Sequence, residues 1–101
     1  MSFERIVGLD VFDDEVYQQY RENMIPILET FGGRFGFDFK VSEVLISKTQ
    51  KPINRVFTID FPSKEMMDKF FADPAYLKVK EAYFNKSVKS ATIISLHQSK
   101  D

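Results

Sequence analysis

Apolar positions change rhythm repeatedly along this chain, and each rhythm predicts an element. Ile6-Val7-Gly8-Leu9-Asp10-Val11 is a short apolar run that predicts a first strand. Asp13-Asp14-Glu15 follows, an acidic cluster suited to the positive end of a helix dipole. Val16, Tyr17, Tyr20, Met24, Ile27, Leu28 and Phe31 then recur at helical spacing, with Gln18, Gln19, Arg21, Glu22 and Glu29 on the other side. Pro26 lies inside this helix, removes a backbone donor, and predicts a kink or a split. Gly32-Gly33 supplies the stop.

Residues 34–46 read as a second strand, with Phe35, Phe37, Phe39 and Val41 on one parity and Gly36 marking a bulge or a close approach. A polar loop with Pro52 covers 47–53, and Arg55-Val56-Phe57-Thr58-Ile59-Asp60-Phe61 is a third strand. Ser63 is placed to cap a helix whose buried side is Met66, Met67, Phe70 and Phe71. Asp73-Pro74 breaks and restarts it, with Asp as the cap and Pro at the first helical position. Tyr76, Leu77, Val79, Tyr83 and Phe84 continue the stripe, and residues 91–97 form the last strand.

The order is β-α-β-β-α-β, without repeat, linker or low-complexity segment, so residues 1–101 form one domain. Right-handed crossovers put both helices on one face of a four-stranded antiparallel sheet, the ferredoxin-like arrangement of the α+β class. Two helices cover one sheet face. A sheet with one wet face alternates apolar and polar residues. Val56, Phe57, Thr58, Ile59 and Phe61, like residues 92–96, put bulk on both faces instead. The uncovered face is then an apolar patch larger than a soluble monomer tolerates. A second copy packed sheet to sheet is the simplest cover, so a homodimer is expected.

Composition sharpens this picture. Eleven of the 101 residues are Phe, and each ring needs burial. The net charge is -1 and the lysines are scattered, which argues against a nucleic-acid footprint. There is no cysteine, which removes disulfides, thiolate metal sites and cysteine nucleophiles and suits a reducing compartment. Met1 to Arg5 does not read as a signal peptide, and no segment has the roughly 20 apolar residues of a membrane span. A cytoplasmic protein is the expectation.

Several motifs run in order over nearly the whole chain. They are Asp10-Val11-Phe12-Asp13 leading to Tyr17-Gln18-Gln19-Tyr20, Pro26, Gly32-Gly33-Arg34-Phe35, Asn54-Arg55-Val56-Phe57, Asp60-Phe61-Pro62-Ser63 and Phe70-Phe71-Ala72-Asp73-Pro74-Ala75-Tyr76. On these the chain resembles the DUF1330 family of the dimeric α/β-barrel superfamily. The resemblance implies a ferredoxin-like protomer and a sheet-to-sheet dimer, but no function. The wider superfamily it points to mixes cofactor-independent monooxygenases, haem-degrading enzymes, isomerases and ligand-sensing domains, among which fold does not choose. Members often carry Arg four residues after the Gly-Gly-Arg arginine, where this chain has Asp38.

The candidate catalytic residues are Asp60, His97 and Arg55. Asp60 interrupts an apolar strand; it is either a solvated or bonded strand end, or a base or ligand anchor with a raised pKa. His97, the only histidine, is a solvated or hydrogen-bonded strand-end residue, or else a general base or a haem ligand. Arg55 starts the third strand where the first ends, so it forms an ion pair with Asp10 or meets a ligand carboxylate. Candidates for ligand contact are Arg34, Asp38, Tyr17, Tyr20 and Tyr76. The tyrosines sit on sheet-facing stripes, as core or as the lining of an aromatic cleft. No cluster has metal-ligand spacing, and no phosphate loop or GxSxG is present, so neither a metal nor a cofactor is expected. Two functions fit. One is a cofactor-independent enzyme, monooxygenase- or isomerase-like, acting on a small apolar or aromatic substrate. The other is a non-catalytic small-molecule binding or sensing dimer.

Overall fold

A computed structural model describes residues 2–99. The elements are β1 (Ser2–Val11), α1 (Asp14–Thr30), β2 (Arg34–Lys40), β3 (Arg55–Phe61), α2 (Lys64–Ala72), α3 (Pro74–Val79) and β4 (Val88–Ser99), with a π-helical turn, Lys80–Phe84, continuing α3. The sheet order is β2-β3-β1-β4, antiparallel throughout. This is the ferredoxin-like topology expected from the sequence, with the helices on one face.

The helix ends follow local chemistry. Asp13 Oδ1 accepts from the Val16 amide at 3.1 Å, Ser63 Oγ from Met66 at 3.2 Å, and Asp73 Oδ2 from Tyr76 at 3.1 Å. Gly32 closes α1 at φ 74°, a left-handed conformation in which Cβ is costly. The core lies between helices and sheet. Tyr17, Tyr20, Met24 and Leu28 from α1 and Met67, Phe70 and Tyr76 from α2 and α3 cover Val7, Leu9, Ile59 and Phe61.

Four expectations are corrected. α1 runs unbroken through Pro26, because Pro26 is exposed and the carbonyl it frees faces water. β2 ends at Lys40 rather than residue 46, since the Val41 amide donates to the Asn54 carbonyl and the chain leaves the sheet. Leu77 is 44% exposed instead of lying on the buried stripe, because α3 turns Tyr76 inward and Leu77 stands about 100° further round; the π-helical turn after α3 then resets the phase and brings Phe84 to 5.1 Å from the Tyr20 ring. Arg55 pairs with Asp38 rather than Asp10, since its cross-strand neighbours are Leu9 and Lys40.

Two register shifts decide which way side chains point. Between Phe35 and Asp38, at Gly36, the bulge turns Phe35 and Asp38 toward the helices and leaves Phe37 and Phe39 outside, 62% and 55% exposed. In β4 a shift at Ile94 has the same effect. Ala91 and Ile93 lie opposite Leu9 and Val7 on the helix side, whereas Ser95 and His97 lie opposite Ile6 and Glu4 on the outer side. The loop between β2 and β3 folds over that outer face, with Ile53 resting on Gly8; a Cβ there would come within 2.9 Å of Ile53 Cδ1.

Candidate functional site

The best-formed cavity lies between the helices and the sheet, with a volume of about 360 Å³. Its floor is Val7, Leu9, Phe57 and Ile59 from the sheet, its roof Tyr20, Met24, Phe71 and Tyr76 from the helices, and Ala91 and Ile93 of β4 form its outer rim. It opens there because both rim residues are exposed, and the helices make their sheet contacts chiefly with β2 and β3.

The polar groups on this apolar lining are few. The Tyr20 and Tyr76 hydroxyls lie 2.9 Å apart and bond to each other. Burial pushes the Tyr20 phenol well above its ordinary value and raises that of Tyr76, so both keep their protons at neutral pH. Two O–H groups sharing one mutual bond leave one proton free to donate elsewhere. Arg5 lines the same cavity, with its guanidinium 4.1 Å above the Phe71 ring. Its Nε is buried and has no hydrogen-bond partner among the described residues. Burial lowers the Arg5 pKa, and the nearby Tyr76, Asp68 and Tyr20 only partly offset that. Lys80 adds a second cation to the lining, while no carboxylate or imidazole among the described residues lines it.

The sequence-predicted residues fall into three places. Tyr20 and Tyr76 line the cavity. Tyr17, Arg55 and Asp38 form a separate cluster with Arg21, in which Tyr17 and Arg21 are buried, Arg55 is half-buried and Asp38 reaches solvent. Arg55 Nε and Nη2 donate to the two Asp38 oxygens at 2.9 Å each, and Arg21 Nη2 approaches Asp38 Oδ2 at 2.8 Å. Arg21 Nε donates to the Tyr17 hydroxyl at 3.1 Å, and its guanidinium stacks 3.6 Å from the Phe35 ring centre. Burial alone would raise the Asp38 pKa, but the Arg55 hydrogen bond and the Arg21 and Arg55 charges outweigh it and hold the carboxyl low.

The third place is a row across the outer face. His97, Glu4, Asp60 and Arg34 are successive cross-strand partners on β4, β1, β3 and β2. Glu4 Oε1 lies 2.9 Å from His97 Nε2, Ser95 Oγ lies 2.6 Å from His97 Nδ1, and Arg34 Nε donates to Asp60 Oδ1 at 3.1 Å. The row carries charges of both signs, and neither Asp60 nor His97 reaches the cavity under the helices. Sequence reasoning overlooked Arg5 and Glu4, and it set Arg21, which is buried, on the polar side of α1. The one available signal was the period-two placement of Arg5 with Val7 and Leu9, which sets a cation on the helix-facing side of β1.

Residues 5–96 match the family described as a domain of unknown function, DUF1330. The chain belongs to that family. Solved structures share its fold. A protein of unknown function from Rhodopseudomonas palustris superposes with TM-score 0.79 at 19% identity, covering 99% of this chain and 84% of that one. A nipsnap family protein of unknown function from Agrobacterium tumefaciens gives 0.63 at 22%, covering 98% and 87%. A dabb family protein with a ferredoxin-like fold from Mesorhizobium loti gives 0.64 at 11%, covering 92% of each. None of the curated proteins matches the chain. No helix among the described residues is long and apolar enough to cross a membrane.

Proposed function

We propose that this DUF1330 chain is a non-catalytic small-molecule binding domain, working as a cytoplasmic homodimer and holding its ligand between helices and sheet. The observation that carries this is the chemistry of the cavity: about 360 Å³, walled by aliphatic and aromatic side chains, with a few hydrogen-bond donors. A proton-abstracting enzyme needs a base at the substrate. The lining offers phenols that burial keeps protonated and two cations, a set that binds and orients. A cofactor-independent enzyme is the second reading. The free phenolic O–H favours it, since the Tyr20 and Tyr76 pair could donate to a developing oxyanion.

The dimer rests on the outer face. Phe37 and Phe39 stack there at 5.7 Å, exposed, on edge strand β2, and exposed Ile94 lies on the opposite edge strand β4 with Val44 and Ile46 of the loop near it. The transverse row of His97, Glu4, Asp60 and Arg34 supplies both charge signs, so a second copy of the same face is complementary to it.

Thermal-shift screening with small aromatic and aliphatic compounds tests the binding reading. Ligand-dependent melting without product formation supports it, and Ala91→Phe at the exposed rim should abolish the shift without unfolding the chain. Turnover that survives dialysis and is lost in Tyr76→Phe would move the assignment to the enzyme. Absence of any stabilisation across the screen, with an unobstructed rim, refutes both.

A further inference from the structure

We infer that the cavity takes a small aromatic monocarboxylate, with its carboxylate met by the Arg5 guanidinium and the free hydroxyl proton of the Tyr20 and Tyr76 pair. This rests on the binding reading and specifies its ligand. Arg5 projects from β1 into an apolar cavity, yet its buried Nε–H has no partner among the described residues. A buried donor left unmade is costly, more so when it is charged, and a ligand oxygen removes that cost.

Among the described residues, no carboxylate serves this purpose. The one that acts on Arg5 at longer range, Asp68, is exposed and bonded to Lys64 at 2.9 Å. Arg21 and Arg55, by contrast, share Asp38 at close range. One arginine site in this molecule is thus closed by an internal anion, and the Arg5 site is open. With one guanidinium face on Phe71, the edge remains for a fork-shaped contact, which suits a planar carboxylate.

The donors exceed the acceptors in this lining, so the site selects acceptor oxygens. Phe35, Phe57, Phe71 and Phe84 line the same space and favour a flat ring. The volume falls at the small end of the roughly 300–1,000 Å³ typical of ligand pockets, enough for one ring with a short acidic arm. Lys80 adds long-range attraction for the anion.

The test uses wild-type protein and matched pairs: benzoate and benzamide, phenylacetate and phenylacetamide, cinnamate and cinnamamide. Binding is measured by calorimetry. The side-chain Nε–H resonance of Arg5 is followed by NMR, which needs no substitution. At least one acid should bind about tenfold or more tighter than its amide, which is about 1.4 kcal/mol, and shift the Arg5 resonance. Arg5→Gln should remove the preference and leave amide binding. Arg5→Lys should keep part of it. Acid and amide binding equally, or an acid that leaves the Arg5 resonance unmoved, overturns the carboxylate inference while the pocket reading stands. Failure of every acid and every amide to bind overturns both.

Discussion

Asp38→Asn should destabilise the domain by about 2–3 kcal/mol. Asp38 stands between two guanidinium groups whose side chains are only 9% (Arg21) and 14% (Arg55) exposed. Removing one partner of a fully buried ion pair costs about 3–5 kcal/mol, because the remaining charge stays desolvated. The Asp38 side chain is itself 28% exposed, so water repays part of that cost. The stacks of Arg21 on Phe35 and of Arg55 on Tyr17, at 3.6 and 4.8 Å, survive the change and keep both cations in place. At about 4–8 °C per kcal/mol for a domain of this size, the melting temperature should fall by about 10–20 °C.

Urea unfolding at pH 7 measures the loss, and an unchanged m-value shows that the folded state is intact. The pH dependence is a second check. The folded-state pKa of Asp38 is held below its unfolded value, so its contribution is present above about pH 4 and is lost as the pH falls through the folded value. The gap between wild type and Asp38→Asn should therefore narrow in acid. A loss below about 0.5 kcal/mol at pH 7, or a gap that widens below pH 4, would falsify the view of Asp38 as the counter-ion of this cluster.

Tyr20→Phe should cost about 1 kcal/mol, while Tyr20→Phe with Tyr76→Phe should cost less than the sum of the single changes, since both halves of one buried bond go together; a urea double-mutant cycle reads the coupling. Burial raises the Tyr17, Tyr20 and Tyr76 pKa values in the folded state, so their contribution is full below about pH 10 and lost as pH rises through the folded values; ultraviolet titration should show them ionising late, and ordinary titration of all of them refutes their burial. Gly32→Ala should cost about 1–2 kcal/mol, because φ is 74° and the new Cβ would sit 2.7 Å from Pro62 Cγ; equal stability in urea contradicts the strain argument. Phe37→Asp should leave a folded monomer in sedimentation at micromolar concentration, whereas Ile59→Asp, at a position 2% exposed, should unfold the chain; a wild-type monomer contradicts the sheet-to-sheet dimer.

The element order, helix caps and stops were all legible in the sequence because they rest on local chemistry. Asp13, Ser63 and Asp73 each bond an amide three residues away, and the stripe of Tyr17, Tyr20, Met24 and Leu28 needs only the helical period. The apolar second face was legible only in part: Phe37 and Phe39 lie exposed on it, but Arg34, Asp60, Glu4 and His97 cross it as a polar row. Direction was not legible. One bulge at Gly36 and another at Ile94 each reversed the parity of the residues beyond it, so Phe37, Phe39, Ser95 and His97 face outward while Phe35, Ala91 and Ile93 face the helices. A bulge is fixed by the ladder on the partner strand, which the strand's own pattern does not contain. Gly36 signalled its bulge; nothing marked Ile94. The candidate site divides along the same line. Tyr20 and Tyr76 were marked by their stripes, but their mutual bond joins residues 56 apart in sequence. Arg55 met Asp38 rather than Asp10, and Asp60 and His97 joined a row with Glu4, because antiparallel register selects partners across strands. Arg5 became a candidate only once Phe71 was beneath it and no carboxylate of the described residues beside it, a matter of what packing brings near and what it leaves out.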